Sequence, residues 1–202
     1  MAEPAAPRLV LASGSPRRAA LLSRLGCEPE LRPADLDERP GPDEDPGTLV
    51  VRLARAKATA VATGQADEVV LGADTEVVLD QQVLGKPVDA AHAARMLRAL
   101  AGRVHEVHTG LAAVRGATIV STRVTSTVRL RPLTDAEIAW YLGTGEPAGK
   151  AGAYALQGAG AALVDRLEGS DTGIIGLPLS ATVGLLRELG LDLVGDARPT
   201  TS

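Results

Sequence analysis

The chain has 202 residues and no phenylalanine; one tryptophan and two tyrosines are its whole aromatic complement, 1% of the residues. So few rings exclude a stacking platform for single-stranded nucleic acid, which needs aromatic faces. The core must instead be aliphatic, built from Leu, Val, Ala and Ile. Cysteine is nearly absent too. Cys27 stands alone and cannot close an internal disulfide, so it is expected as a small buried hydrophobe in a reducing compartment. Strong charge of either sign is missing: the net charge is −4, which exerts no long-range pull on nucleic acid or anionic lipid. Any phosphate recognition must come from a local cluster of Lys and Arg. No apolar run is long enough to span a membrane, and the amino-terminal residues lack the basic segment of a signal peptide. The expected compartment is the cytoplasm.

Hydrophobic residues make up 45% of the chain, enough for a core at this length. Residues 8–12 read as a strand running into Ser13-Gly14-Ser15-Pro16, with Pro16 opening a helix that carries Leu21, Leu22 and Leu25 and stops at Gly26. Residues 32–38 look weakly extended and 39–47 form a polar, Pro-rich loop. Residues 48–62 have helical periodicity. Residues 68–73 read as a buried strand ending at Asp74 and Thr75, with 76–80 as its continuation or a hairpin arm. Residues 90–100 form an amphipathic helix, and 103–114 and 118–130 alternate as antiparallel strands. Thr134 and Glu137 spell a capping box for a helix over 134–142. Residues 158–164 read as a strand and 179–189 as the last helix. The order predicts an α/β fold with a mixed sheet, in a single domain over 1–202 with disordered ends at about 1–7 and 196–202. The part up to about Lys86 and the part after it could form two lobes.

Several segments carry candidate chemistry. Ser13, Ser15, Arg17 and Arg18 sit at a strand-to-helix turn, where N–H groups, hydroxyls and forked guanidinium donors suit an anion; an ordinary capped helix start with solvated arginines is as good a reading of that turn alone. Asp74 could hold a metal or take a proton from water, or simply bond its own backbone in a turn. Lys57, Lys86 and Lys150 could reach phosphate, though surface lysine is the common fate. Glu38 with Asp74 would suffice for a divalent cation that shares phosphate oxygens. His92, His105 and His108 lack zinc-ligand spacing. Walker and dinucleotide fingerprints are absent.

Taken in order, LASGSPRRAALLSRLG, LDE, VVRLARAKA, VLGADTEVVLD, LGKPVDAAHAARMLRALAGRVHEVHTG, EIAWYLGTGEPAGKAGAYALQG and GLPLSATVGLLRELG closely resemble the Maf family of nucleotide pyrophosphatases, from about Leu9 to about Leu191. The resemblance implies an elongated two-lobed fold like that of inosine triphosphate pyrophosphatases. It implies hydrolysis of nucleoside triphosphates to the monophosphate and pyrophosphate with a divalent cation, Mg²⁺ or alternatively Mn²⁺ or Co²⁺. Ser13, Ser15, Arg17 and Arg18 match the family's phosphate motif, Glu38 its acidic position, and Lys57 and Lys86 its two lysines. Asp74 matches the aspartate read as general base and, with Glu38, as metal ligand. Gln157 matches the glutamine that follows K-A-G-A-Y. The S-P-R-R form with Ala73-Asp74-Thr75 and Gln157 resembles the dTTP/UTP branch, which implies Arg17, Thr75 and Gln157 as specificity positions in a nucleotide house-cleaning enzyme. Gly149 stands where Asp is common, and Ser170-Asp171-Thr172-Gly173 replaces a more aromatic segment. Both departures bear on base selectivity rather than catalysis. A non-catalytic nucleotide-binding regulator of cell division is the alternative, no nucleic-acid or membrane partner is expected, and a homodimer is the commonest prior for oligomeric state.

Overall fold

A computed structural model describes residues 7–195. The expected disordered ends, 1–6 and 196–202, lie outside the described residues, whereas Pro7 is described and buried. The elements run β1 (Arg8–Leu11), α1 (Pro16–Ser23), β2 (Glu30–Leu31), α2 (Pro46–Val61), β3 (Glu68–Leu79), β4 (Gln82–Val83), α3 (Ala90–Leu100), β5 (Val104–Arg115), β6 (Thr118–Leu130), α4 (Asp135–Gly143), β7 (Val164–Glu168), α5 (Asp171–Ile175) and α6 (Leu179–Glu188). Two 3-10 segments, Ala151–Ala153 and Ala159–Leu163, lie between α4 and β7.

Among the described residues the strands form one mixed sheet in the order β2-β1-β3-β5-β6-β7, with β4 also paired to β3. β1 is parallel to β2 and β3; the remaining pairings are antiparallel. This is a mixed α/β architecture. β3, β5 and β6 are long, and separate aliphatic cores form toward their two ends. One joins Leu9, Leu11, Val69 and Leu71 to Leu21 and Leu22 of α1 and Leu185 and Leu186 of α6. The other joins Val77, Leu79, Val107 and Val128 to Leu97 and Leu100 of α3 and Ile138 and Tyr141 of α4. On the opposite face α2 lays Ala54 and Ala58 on Val70, Ala112 and Val114.

The seating of α2 depends on two residues without side chains. A Cβ on Gly72 would collide with the Ala54 carbonyl oxygen, and one on Gly110 with the Val50 carbonyl. Bare backbone at both points lets the helix press against β3 and β5 more closely than any side chain would allow.

Several expectations need correction. Asp74 and Thr75 are not at the carboxyl end of a strand: β3 runs unbroken for 12 residues through them. What ends there is its neighbour. β1 pairs with β3 only as far as Leu11 opposite Leu71, and β4 begins opposite Val78. Residues 72–76 of β3 therefore present an uncovered edge. Residues 158–164 are not a strand but mostly a 3-10 turn, because Glu146 accepts the N–H groups of Ala159 and Gly160 at 2.7 and 3.1 Å and curls the chain around its carboxylate. α2 starts at Pro46 rather than 48, since the Asp45 side chain accepts the Thr48 N–H at 2.9 Å and caps the helix earlier. Pairing near 32–38 is limited to Glu30 and Leu31. Cys27 is only partly buried. The Thr134–Glu137 capping box is present as expected. No helix among the described residues is long and apolar enough to cross a membrane.

Candidate active site

The uncovered edge of β3 opens into a cavity of about 590 Å³, within the usual range for a small-molecule site. Segments far apart in the chain line it. Ser13, Ser15, Arg17, Arg18, Glu38, Lys57, Asp74, Thr75, Lys86 and Gln157 all reach its wall, so the residues that match the family motifs converge on one opening. Glu76 and Lys150 line it too.

The β1–α1 turn forms one side. Ser15 occupies the N-cap of α1, yet its side chain makes no capping bond. Ser13 does the local work instead, its hydroxyl oxygen accepting the Ser15 N–H at 3.2 Å and Arg18 Nη1 at 3.0 Å. The adjacent arginines part company here. Arg18 donates Nε to the Gly176 carbonyl at 2.8 Å and Nη2 to Thr75 Oγ1 at 3.4 Å, as well as to Ser13. It is a strut joining the turn, β3 and the end of α5. Arg17 Nε is buried without a partner. Burial lowers the pKa of Arg17, and burial together with the Arg17 charge lowers that of Lys150. These two cations form one electropositive wall.

Thr75 belongs to the strut as well. Thr109 donates its hydroxyl to the Gly173 carbonyl at 2.8 Å, so the 3.0 Å contact between Thr75 and Thr109 must be donated by Thr75. The Thr75 proton is therefore committed inside the protein, while the side chain still lines the cavity.

The opposite wall is acidic. Lys57, from α2, is buried and places its ammonium 2.6 Å from Asp74 Oδ1 and 2.7 Å from Glu38 Oε1. Lys86 stands 3.9 Å from the other Glu38 oxygen. Burial pushes the Glu38 carboxyl up, but the hydrogen bond and charge of Lys57, helped by Lys86 and Arg18, outweigh it and hold Glu38 below its ordinary value. The loop bearing Lys86 is tied across the cavity by the Gly152 N–H, which donates to the Gly85 carbonyl at 2.9 Å. Among the described residues two buried carboxylate oxygens have no partner, Asp74 Oδ2 and Glu76 Oε2.

Glu76 is not among the sequence candidates, because the segment after Thr75 reads either as a continuation of the strand or as a hairpin arm. Read as one strand, the period of two places Glu76 on the face of Asp74. Lys150 was noted as a candidate lysine but given no role; only folding shows it beside Arg17. The wall made by Ile174, Ile175 and Gly176 carried no local signal at all.

The Maf-like protein family matches residues 8–189. A dTTP/UTP pyrophosphatase of Anaeromyxobacter dehalogenans is 54% identical over 93% of this chain and 97% of its own length. A dTTP/UTP pyrophosphatase of Hahella chejuensis is 49% identical over 96% of this chain and 98% of its own. Among solved structures, a HAM1 protein from Coxiella burnetii is 20% identical with a TM-score of 0.44, covering 61% of this chain and 73% of that one. With a family match from β1 to the end of α6 and relatives at half identity over nearly full length, the chain belongs to the Maf family.

Proposed function

We propose that this protein hydrolyses pyrimidine nucleoside triphosphates, dTTP and UTP or their modified forms, to the monophosphate and pyrophosphate with a divalent cation. The observation that carries the reading is the convergence on one cavity of a cationic wall, Arg17 and Lys150, and an acidic wall, Glu38, Asp74 and Glu76. A triphosphate spans such a pair of walls. The names of the two relatives support the pyrimidine preference.

Water attacks the α-phosphorus, the bridging bond to the β-phosphate breaks, and pyrophosphate leaves with the bonding electrons. Asp74 orients the water, whose proton passes to solvent: Lys57 holds one carboxylate oxygen and thereby fixes the direction of the other, Oδ2. Arg17, Lys86 and Lys150 meet the negative charge that grows on the leaving group. Ser15 and the Arg17 N–H in the first turn of α1 take phosphate oxygens, while Arg18 and Thr75 keep that turn in place against β3. Gln157 is exposed at the cavity rim, where it can read the base.

The donors fit a divalent cation. Among the described residues no three His, Cys, Asp or Glu side chains stand close enough together to hold an ion by themselves, so the ion would complete its shell with phosphate oxygens, as Mg²⁺ does. Glu38 and Asp74 would hold it, and the free Asp74 Oδ2 is the donor oriented for it. When bound, the ion neutralises charge on the phosphate oxygens.

The test is a panel of dTTP, UTP, CTP, ATP, GTP, 7-methyl-GTP and modified pyrimidine triphosphates, each with Mg²⁺ and with EDTA. Pyrophosphate release from the pyrimidine nucleotides in Mg²⁺ alone is expected. Orthophosphate as the product, or no turnover of any of them, would overturn the reading.

A further inference from the structure

Glu68 and Glu76 stand on the same strand and are both largely shielded from water, yet their surroundings differ. Glu68, at the start of β3, is 1% exposed and fully engaged: it accepts the Thr63 N–H at 2.9 Å, the Thr63 hydroxyl at 2.8 Å and contacts from Arg8 and Arg32. It has the environment of a structural carboxylate. Glu76 has no such arrangement. Its Oε2 is buried without a partner. The neighbour opposite it on β5 is His108, which bonds to Glu106 at 3.1 Å and to Thr125 at 2.9 Å rather than to Glu76.

Two residues away, on the same face of β3, Asp74 is 5% exposed and its Oδ2 is equally unpartnered. The two Cα atoms are about 7 Å apart at strand spacing, close enough for a short and a long carboxylate to address one point. Both side chains line the cavity at the uncovered edge of β3, which leaves that point open to an incoming ligand. Two unpaired acids in that position take up either a proton or a cation.

We propose that Glu76 is a ligand of the divalent cation, sharing it with Asp74 through their two unpartnered oxygens. The metal site would then lie along β3, with Glu38 joining it from across the cavity through the oxygen that Lys57 does not hold. The inference rests on the triphosphate reading for the phosphate oxygens that complete the shell. It differs from that reading in naming a residue that pure phosphate binding would not need, since a third carboxylate repels a triphosphate unless a cation lies between them.

The experiment uses Glu76→Gln, which keeps the shape and removes the charge. Mn²⁺ binding is followed by loss of the free-ion electron paramagnetic resonance signal, first with the protein alone and then with α,β-imido-UTP present. Thermal melting is followed in EDTA and in MnCl₂. Glu76→Gln is expected to weaken Mn²⁺ binding at least tenfold in both titrations. It should melt at or above the wild-type temperature in EDTA, because an acidic repulsion is gone, and should gain less from MnCl₂ than wild type does. Equal Mn²⁺ affinity of the two proteins, or an equal rise in melting temperature with MnCl₂, would overturn the assignment. Failure of the imido nucleotide to bind either protein would count against the triphosphate reading instead, with the protein-alone titration still deciding on Glu76.

Discussion

At the scale of single residues, adjacent and chemically identical side chains have different duties. Arg18 spends its donors on Gly176, Ser13 and Thr75, whereas Arg17 keeps a buried nitrogen free. Arg17→Ala is expected to leave the melting temperature within a degree or two and raise KM at least tenfold. Arg18→Ala should lower stability by roughly 2 to 4 kcal/mol, since it strands several partly buried partners. Equal melting temperatures for the two variants would contradict the division. Asp74→Asn keeps the shape of the site and removes its charge; kcat should fall at least a hundredfold with a normal circular dichroism spectrum. Near-wild-type turnover by the purified variant would remove Asp74 from the mechanism. Arg17, Arg18 and Asp74 could be named from the sequence motifs, because side-chain chemistry is local. Which arginine binds and which braces could not, because Gly176 lies 158 residues from Arg18.

At the scale of elements, the fit of α2 to the sheet decides where Lys57 sits. The helix can approach only because Gly72 and Gly110 are bare. Gly110→Ala should cost several kcal/mol, in the range of severe overpacking, and shift the urea midpoint accordingly; an unchanged midpoint would show that the helix can ride up at no cost. Patterning made most elements legible. The capping box at Thr134, the amphipathic helix at Ala90–Leu100 and the alternating strands over 104–130 all announce themselves locally. β3 did so only in part: three polar residues at its middle leave 76–80 readable as a continuation or as a hairpin arm, and the structure has the continuation. The 3-10 turn at Ala159–Leu163 was illegible, its shape being set by a carboxylate 13 residues earlier.

At the scale of the whole molecule, His105 ties stability to pH. Its Nε2 contacts the Tyr154 hydroxyl at 2.8 Å, its Nδ1 is buried without a partner, and burial pulls its pKa down to about 4 from 6.5. The native protein therefore holds this imidazole neutral, whereas the unfolded chain protonates it below about 6.5. The unfolded state binds the extra proton, so the stabilisation is complete above pH 6.5 and drains away as pH falls toward 4. The full loss is of order 3 kcal/mol. Urea unfolding of wild type and His105→Gln at pH 7, 6, 5 and 4.5 should give diverging slopes, steeper for wild type; parallel slopes would assign the pH dependence elsewhere.

The gap between β1 and β4 carries one more consequence. Leu71 and Val77 turn their carbonyls toward that side, to the Ala12 and Leu84 N–H groups. Strand alternation turns the peptide groups of Ala73 and Thr75 the same way. Point mutation can swap every charge around the opening, but it cannot rewrite a main chain. Relatives that differ in the wall would still share this rung of amides and carbonyls, a fixed ruler against which each new set of side chains measures its ligand.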